Sequence, residues 1–319
     1  MLLSIIIPCF NSARFISQTL DMLISQGLDD CEVIVVNDGS TDETSRIAHY
    51  YSNKHENMKV IDKINEGVSV ARNVGLANAQ GRYIYFLDSD DYLEAGTLDF
   101  YRGILYRYPQ NKFFATGYYT KYHEKIKKDY AVKRYDGMTL DSTLLKQSFF
   151  LKKICFHICS CIYENKFLRE HSITFTPGLR IGEDVEFLLK VLAATDSCVY
   201  HARHCFVYQI RDDSTMQGYN FYSQARFAGL PLTRNTVKRC ITKETELAGN
   251  FFLANLYMLH LLYYLKSDFT DKDVSKGLIM HKDLLDARIP FNKPLRFIVI
   301  KILKVLPIGF VFRIRKKCR

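Results

Sequence analysis

Short apolar runs alternate with segments of helical periodicity through the first 110 residues of the chain. Four runs have the length and the Val, Ile, Tyr and Phe content of buried strands, at residues 4–9, 32–37, 58–61 and 83–87. Three segments between them have apolar residues spaced as on one face of a helix, at residues 15–25, 43–52 and 68–78. The alternation predicts a parallel sheet covered by helices on both faces.

The pattern changes after residue 110. Two aromatic runs between residues 113 and 135 predict a hairpin or an antiparallel addition to the sheet. The spacing then predicts, in order, a helix at 140–150, a strand at 156–163, a helix starting at 182–184 and a strand pair around 198–210. From about residue 218 the apolar spacing is mostly helical. The chain is therefore predicted to be an α/β domain followed by a helical region.

Basic side chains are concentrated at the end of the chain. Hydrophobic residues make up 48% and charged residues 24% of the sequence, an ordinary globular mixture that excludes disorder as the main state. The net charge is +10, and residues 290–319 contain nine basic residues and no acidic ones, so the rest of the chain is near +1. The nine are Lys293, Arg296, Lys301, Lys304, Arg313, Arg315, Lys316, Lys317 and Arg319. An anionic partner is predicted to act at this end.

The nine cysteines are odd in number and lie mostly within apolar stretches, which predicts buried thiols in a reducing, cytosolic compartment. The densest group is Cys155, His157, Cys159 and Cys161; it lacks the paired CxxC spacing of a structural zinc site and is predicted to be core. The apolar first residues have no basic flank, and no apolar run reaches 18 residues. Neither a signal peptide nor a membrane-spanning helix is therefore expected.

Three polar clusters follow predicted strands, at residues 8–11, 37–42 and 88–91. Because the carboxyl ends of parallel strands meet at one edge of a sheet, we expect these clusters to lie together, where ligands bind in such folds. Turn formation and helix capping would also explain the Asn, Asp, Ser and Thr residues at positions 37–42. The sequence alone leaves that alternative open for Thr41 and Asp42.

A dinucleotide-binding domain is excluded at the first predicted strand. That fold needs G-x-G-x-x-G there, and this chain has Pro-Cys-Phe-Asn at residues 8–11 and no glycine before Gly27. There is no Walker motif either. A bound diphosphate would then need a divalent cation, and the Asp-Ser-Asp-Asp cluster at residues 88–91 supplies suitable carboxylates. The same cluster is also ordinary surface-turn sequence.

Gly182, Glu183 and Asp184 open a strongly apolar predicted helix. Acidic residues are favoured at a helix N-terminus by about 0.3–1 kcal/mol. This preference alone would explain the two acidic residues at the start of the helix. A carboxylate at that position is also well placed to act as a general base. Sequence spacing does not choose between the two interpretations.

Five motifs in order carry a resemblance to a known family. They are SIIIPCFN at residues 4–11, VVNDGSTD at 35–42, NEG with ARN at 65–73, GRYIYFLDSDD at 81–91 and GED at 182–184. The chain resembles family 2 glycosyltransferases with the GT-A fold, a Rossmann-like mixed sheet flanked by helices. The resemblance implies a catalytic domain at residues 1–215, with a nucleotide-sugar half at 1–110 and an acceptor half at 111–215, and a helical region at 216–319.

The resemblance also implies roles for the first polar clusters. Pro8 and Asn11 would shape the pocket of a uridine nucleotide. Asp38 would accept a hydrogen bond from the uracil imide, and Arg72 would lie close to the nucleotide. The donor implied is a nucleotide-sugar, most commonly a UDP-sugar in this family.

The later motifs would carry the reaction. Asp88 would face the ribose, with Ser89 beside it in the donor site, and Asp90 would bind Mn²⁺ or Mg²⁺ with Asp88 as a second candidate ligand. Arg211 would contact the diphosphate, and Asp184 would be the catalytic base of an inverting transfer. The implied acceptor is a hydroxyl of a glycan or a lipid-linked saccharide in bacterial surface-polysaccharide synthesis. The alternative is a non-catalytic nucleotide-sugar-binding or scaffold subunit.

The basic C-terminal region contains one amphipathic segment. A helix over residues 295–306 would place Leu295, Ile298, Val299, Ile302, Leu303 and Leu306 on one side. With the basic residues that follow, this predicts association of residues 293–319 with an anionic membrane surface, on the cytosolic face of a bacterial inner membrane. The alternative is a terminal helix packed on the catalytic domain. No nucleic-acid partner is expected, because no nucleic-acid-binding motif accompanies the charge.

Overall fold

The computed structural model describes residues 1–123, 125–211, 222–291, 293–307 and 312. The chain divides into two compact units. One unit contains Met1–Leu145 and Ile154–Arg211, and the other contains Lys146–Lys153 and Asp212–Arg319. The assignment of residues 1–215 and 216–319 to separate functions stays a prediction. The part of the second unit within 212–221 lies outside the described residues.

The first unit is built on one mixed sheet. Its strands, in chain order, are β1 (Leu3–Cys9), β2 (Cys31–Asp38), β3 (Met58–Lys63), β4 (Tyr83–Phe86), β5 (Tyr92–Leu93), β6 (Phe113–Tyr122), β7 (Lys125–Asp129), β8 (Met138–Asp141), β9 (Cys161–Glu164) and β10 (Ser197–Ile210). In space their order is β3-β2-β1-β4-β9-β6-β10-β5, with β7 beside β6 and β8 beside β10. β9 is antiparallel to both β4 and β6, so β6 and β10 run in the same direction as β1, β2 and β4.

Helices connect and cover these strands. They are α1 (Ile16–Ser25), α2 (Thr44–Ser52), α3 (Val68–Asn78), α4 (Thr97–Arg107), α5 (Ser142–Phe150), α6 (Asn165–Glu170) and α7 (Glu183–Ala194), with α5 shared between the units. The predicted strand and helix order of the first 87 residues is confirmed, because β1 pairs in parallel with β2 and β4, and β2 with β3. The predicted hairpin is also present as the antiparallel pair of β6 and β7.

Two predicted elements were wrong in detail. The strand pair expected around residues 198–210 is the single strand β10, whose register against β6 shifts between His201 and Phe206. These irregularities break the alternation that would have indicated one continuous strand. The strand expected from Phe156 begins only at Cys161, because the preceding residues form a short 3-10 turn at Ile158–Ser160. Helices α4 and α6 were not predicted.

An aromatic cluster fills the space between β4, β9 and α7. Phe175 and Phe187 stack with centroids 4.2 Å apart, and Phe86 meets both rings edge to face at 5.2 and 5.6 Å. Tyr163 packs edge to face on Phe187 at 5.4 Å. All four side chains are buried. The cluster therefore holds the first turn of α7 in place beside the end of β4.

The second unit is helical in its described part. Its further helices are α8 (Gln224–Cys240), α9 (Glu246–Lys266), α10 (Lys272–Met280) and α11 (Pro294–Val305). α9 is apolar around most of its circumference, and Phe252, Ala254, Tyr257 and Leu261 are buried, as expected for a central helix. Its polar groups are satisfied within the unit, since His260 bonds Tyr222 at 2.8 Å.

The amphipathic segment predicted at residues 295–306 is the helix α11. It packs on α9 through Ile300 and Leu303, both buried, and Arg296 donates to Asn255 at 3.0 Å. Ile300 is not among the residues that the sequence pattern placed on the apolar side of this helix, yet it is 1% exposed. The remaining apolar face stays exposed, as described below.

We expect Phe187→Ala to lower the free energy of unfolding by about 3–5 kcal/mol, because it removes a fully buried ring that contacts three other aromatic side chains. Urea unfolding followed by circular dichroism measures this. The control is Tyr106→Ala on α4, where the ring is 67% exposed and the change should stay within about 0.5 kcal/mol. Equal effects of the two variants would contradict a packing role for the cluster.

Candidate active site

The loops that follow β1, β2 and β4 are tied together at one edge of the sheet. The Asn11 amide donates to Ser40 Oγ at 3.0 Å, and Asn11 Oδ1 accepts from the Thr41 amide at 2.8 Å. Ser12 and Ser89 hydroxyls lie 2.8 Å apart. The structure thus brings the three predicted clusters together, as parallel strands require.

Asp38 is buried at the end of β2 and accepts three hydrogen bonds. Its donors are Lys63 Nζ at 2.6 Å and the amides of Glu66 and Gly67 at 3.0 and 2.8 Å. This carboxylate therefore shapes the loop that leads into α3. Pro8 lies buried in β1 opposite Val36. The uridine contacts assigned to Pro8, Asn11 and Asp38 stay predictions.

Arg72 is the buried centre of the site. Its guanidinium, 4% exposed, donates from Nη2 to Asp88 Oδ1 at 2.7 Å and from Nη1 to Glu183 Oε1 at 3.3 Å. It therefore joins α3 to the end of β4 and to the first turn of α7. Burial alone would raise the pKa of Asp88, but the charges of Arg72 and His157 and the hydrogen bonds from Arg72 and Cys159 together lower it.

Gly182 sets the start of α7. Its φ of +82° is a left-handed conformation that glycine adopts without strain, and it turns the chain so that Glu183 and Asp184 occupy the first helical turn. Asp184 Oδ1 accepts the amide of Val185 at 2.7 Å. The predicted base is thereby held at the helix N-terminus, beside the site that Arg72 organises.

Glu183 has the more perturbed carboxyl group of this pair. Burial and then the charge of Asp184 raise the pKa of Glu183 to about 7. Arg72 opposes this shift but makes its shorter contact with Asp88. Asp88 is therefore the ionised partner of Arg72, whereas Glu183 exchanges a proton near neutral pH. Sequence reasoning assigned Glu183 no role.

Asp90 is paired with Arg211. The guanidinium contacts both the carboxylate and the main-chain carbonyl of Asp90, and it lies 3.9 Å from the centroid of Phe15. Despite this pairing, burial and the nearby charge of Asp88 raise the pKa of Asp90. Arg211, predicted to contact a diphosphate, thus lies at the carboxylate predicted to bind metal.

Asp91 differs from the other members of its cluster. One of its oxygens accepts the Gln209 amide at 2.9 Å, while Oδ2 is buried without a hydrogen-bond partner among the described residues. Burial and the charges of Asp90 and Asp88 raise the pKa of Asp91 well above its usual value. Asp91 therefore ties β10 to the loop after β4, and Ser89 is likewise used internally, on Ser12.

Two groups of side chains around Asp88 offer ligand atoms to a divalent cation. Ligand atoms of Asp88, Asp91 and Cys159 lie within 4.8 Å of one another. Burial raises the pKa of Cys159 as well as that of Asp91, and a thiol is a soft ligand, so this group is a poor match for Mg²⁺ or Mn²⁺, which prefer oxygen ligands. Asp88 and Asp90 fit better, since they are hard oxygen donors with side chains 26% and 38% exposed. Their mutual repulsion is what a cation relieves.

None of the three cysteines in the Cys155, His157, Cys159 and Cys161 group forms a disulfide, and Cys159 and Cys161 are fully buried as predicted for core residues, whereas Cys155 and His157 are only half-buried. His157 and Cys159 nevertheless border the site, which sequence reasoning missed. The available signal was a lone histidine in an apolar stretch just before a strand.

The model of the family described as "Glycosyl transferase family 2" matches residues 4–163, half of the chain. The chain belongs to glycosyl transferase family 2. The recognition made from the five motifs is thereby confirmed.

Two glycosyltransferases are similar to this chain to different degrees and over different lengths. Glycosyltransferase GlyA of Streptococcus pneumoniae is 27% identical over 220 residues, which cover 66% of this chain and 31% of GlyA. The uncharacterized glycosyltransferase EpsJ of Bacillus subtilis is 44% identical over 94 residues, 30% of this chain and 27% of EpsJ. The matched parts span less than a third of these relatives' own length.

Solved structures match nearly the whole chain. TarS 1–349 of S. aureus, in complex with UDP-GlcNAc, superposes with a TM-score of 0.73 at 22% identity, covering 95% of this chain and 88% of that one. Mannosyltransferase PcManGT of Pyrobaculum calidifontis, with GDP-Man and Mn²⁺, gives 0.59 at 16% identity, covering 95% and 86%. At these identities the likeness shows the fold, and the predicted GT-A fold is confirmed.

A pH dependence follows from Glu183. A carboxyl pKa raised from 4.5 to about 7 in the folded protein makes stability fall as the pH rises through that window. Glu183→Gln cannot titrate, so its unfolding free energy relative to wild type should increase between pH 5 and pH 8, by up to about 3 kcal/mol. Urea unfolding of both proteins at several pH values measures this. Parallel stability profiles would contradict the shift.

Proposed function

We propose that this chain is an inverting, metal-dependent glycosyltransferase. It would move a sugar from a UDP-sugar to a hydroxyl of a glycan or lipid-linked acceptor in cell-surface polysaccharide synthesis. The observation that carries the proposal is the position of Arg72, whose two ion pairs place the carboxylates after β4 and the Asp184 end of α7 around one site. A donor-binding element and a base are needed within reach of one sugar for this reaction.

The donor would lie along the sheet edge formed by β1, β2 and β4. Pro8, Asn11 and Asp38 would surround the uridine. Arg72 would lie close to the nucleotide, held in position by its ion pair with Asp88. TarS with its bound UDP-GlcNAc supports a uridine nucleotide, while PcManGT with GDP-Man shows that the fold also accepts another base.

Asp90, with Asp88 as a second ligand, would hold Mn²⁺ or Mg²⁺, and a neighbour in fold was solved with Mn²⁺. A bound cation supplies positive charge to a departing diphosphate. Arg211 would exchange Asp90 for the diphosphate when the donor binds, because both ligands compete for the same guanidinium. Ser89 would hold the loop after β4 against the loop after β1 through its hydrogen bond to Ser12.

Asp184 would take the proton of the acceptor hydroxyl. The acceptor oxygen then forms a bond to the anomeric carbon from the face opposite the nucleotide, and the bond from that carbon to the diphosphate oxygen breaks. The amide of Val185 orients the Asp184 carboxylate for this proton transfer.

The pathway is inferred from relatives. The minor teichoic acid biosynthesis protein GgaB of Bacillus subtilis is 28% identical over 225 residues, and poly(ribitol-phosphate) beta-glucosyltransferase of Bacillus spizizenii is 27% identical over 239. Both names concern polymers of the cell surface. None of these comparisons supports the alternative of a non-catalytic subunit.

Asp184→Asn should lower transfer by at least about 100-fold while leaving UDP-sugar affinity unchanged, because it removes the base and keeps the side-chain shape. UDP release from UDP-glucose, UDP-galactose and UDP-GlcNAc, with Mn²⁺ and a bacterial membrane fraction as acceptor, measures turnover. The control is Asp196→Asn, at an exposed site just beyond the other end of α7. Normal turnover by Asp184→Asn would rule out this base.

The membrane surface is proposed to bind the exposed face of α11. Leu295, Ile298, Ile302 and Val305 form one stripe and are 76, 51, 51 and 78% exposed. Lys301 lies beside the stripe and is exposed, whereas Lys304 Nζ forms an ion pair with Asp286 Oδ1 at 3.5 Å. An apolar face flanked by basic residues suits an anionic bilayer surface. The basic residues 313–319 that were part of this prediction lie outside the described residues.

No helix in the described ranges combines the length and hydropathy needed to cross a bilayer. We propose that the protein associates peripherally with the cytosolic face of the membrane through the exposed stripe of α11. α11 would lie in the plane of the interface while Ile300 and Leu303 keep it attached to α9.

The double variant Ile298→Ser, Ile302→Ser should weaken binding to phosphatidylglycerol-containing vesicles by about tenfold or more, since two half-exposed apolar side chains are lost from the contact. Vesicle co-sedimentation measures this. Ile126→Ser on β7, 60% exposed in the first unit, is the matched control. Unchanged binding by the double variant, or an equal loss in the control, would place the membrane contact elsewhere.

A further inference from the structure

His157 comes immediately before the short turn Ile158–Ser160 that leads into β9. This turn packs against β4, β6, β10 and α7, so it lies near both the strand that leads to Asp88 and the helix whose first turn contains Asp184. The next-but-one residue, Cys159, has its sulfur within 4.8 Å of a carboxylate oxygen of Asp88. His157 therefore borders the proposed active site without belonging to any of its motifs.

The ring of His157 is held in one orientation. Its Nδ1 accepts the amide of Cys159 at 3.2 Å, and its own amide donates to Ser160 Oγ at 3.1 Å. The ring stacks on Phe206 with centroids 4.8 Å apart and 22° between planes, and Tyr208 lies 5.5 Å away. The ring is held by one hydrogen bond at Nδ1 and by two neighbouring rings, while the main-chain bond to Ser160 fixes the backbone that carries it.

The hydrogen bonding also sets the tautomer. An Nδ1 that accepts a main-chain amide carries no proton, so the neutral ring carries its proton on Nε2. Burial lowers the pKa of His157, which favours this neutral form. In the part of the chain that the structure describes, Nε2 has no hydrogen-bond partner, and it is not among the buried unsatisfied atoms. His157 thus offers one N–H donor to open space.

The charges that act on the ring identify what that space is. Asp88 and Asp184 both act on His157, and so does Arg72. In the proposed reaction the transferred sugar must lie between the carboxylates that hold the donor and the base that activates the acceptor. His157 cannot act as the base there, because its unprotonated nitrogen already accepts the Cys159 amide, and the N–H on Nε2 remains its available hydrogen-bond donor.

We propose that His157 is a sugar-binding residue that donates its Nε2–H to a hydroxyl oxygen of the transferred sugar. The proposal rests on the proposed glycosyltransferase function and adds a contact that selects the sugar rather than the nucleotide. A neutral N–H donor suits an uncharged hydroxyl oxygen, because neither group needs a counter-charge.

The test compares affinity for UDP-sugars with affinity for UDP. The intact protein is titrated by calorimetry, with Mn²⁺, against UDP, UDP-glucose, UDP-galactose and UDP-GlcNAc. His157→Phe keeps a ring for the stack on Phe206 and removes the donor, so the best-bound UDP-sugar should weaken by about five- to tenfold while UDP stays within about twofold. His157→Gln, which returns an N–H near the position of Nε2, should restore most of the loss.

Unchanged UDP-sugar affinity in His157→Phe would overturn the proposal and leave the glycosyltransferase function standing. So would an equal loss for UDP and UDP-sugar, which would mean that the ring only supports the fold of the site. A raised KM for the acceptor with unchanged UDP-sugar affinity would move the contact to the acceptor and likewise overturn it. Absence of UDP and UDP-sugar binding in the wild-type protein would remove the proposed function itself.

Discussion

A buried guanidinium between two carboxylates is the constraint on which this site depends. Arg72 is 4% exposed, and its charge is compensated by Asp88 at 2.7 Å and Glu183 at 3.3 Å. A buried charge without partners costs several kcal/mol, so α3, the end of β4 and the start of α7 cannot separate without that penalty. The same arrangement keeps the proposed base beside the proposed donor site. Stability and geometry therefore rest on one residue.

The repulsion between the carboxylates around Arg72 is reduced in a different way for each residue. Arg72 keeps Asp88 ionised, whereas burial and neighbouring charges raise the pKa of Asp90, Asp91 and Glu183. Asp90 pairs with Arg211, and Asp91 accepts an amide from β10. Because the charge of Asp88 still raises the pKa of Asp90, a ligand that brings positive charge is favoured there, which is the reason for placing a divalent cation on Asp88 and Asp90.

Much of the fold could be predicted from the sequence because its signals are local. Alternating apolar runs gave the parallel strands, and the polar residues after β1, β2 and β4 had to share an edge once those strands were parallel. The features that the sequence did not reveal depend on contacts between residues that are far apart in the chain. His157 lies far along the chain from Asp88, and no spacing rule relates them; Arg211 was predicted as a donor-site residue, but its pairing with Asp90 was not. The orientation of α11 was likewise decided by α9, which buries Ile300.

The most direct test of the central claim is calorimetric titration of the intact protein with UDP, once with Mn²⁺ and once with a chelator. The account predicts binding that is at least about tenfold tighter with Mn²⁺, since the cation would link the diphosphate to carboxylates that otherwise repel it. Equal affinity under both conditions, or no binding of UDP, would contradict a metal-dependent donor site at this sheet edge.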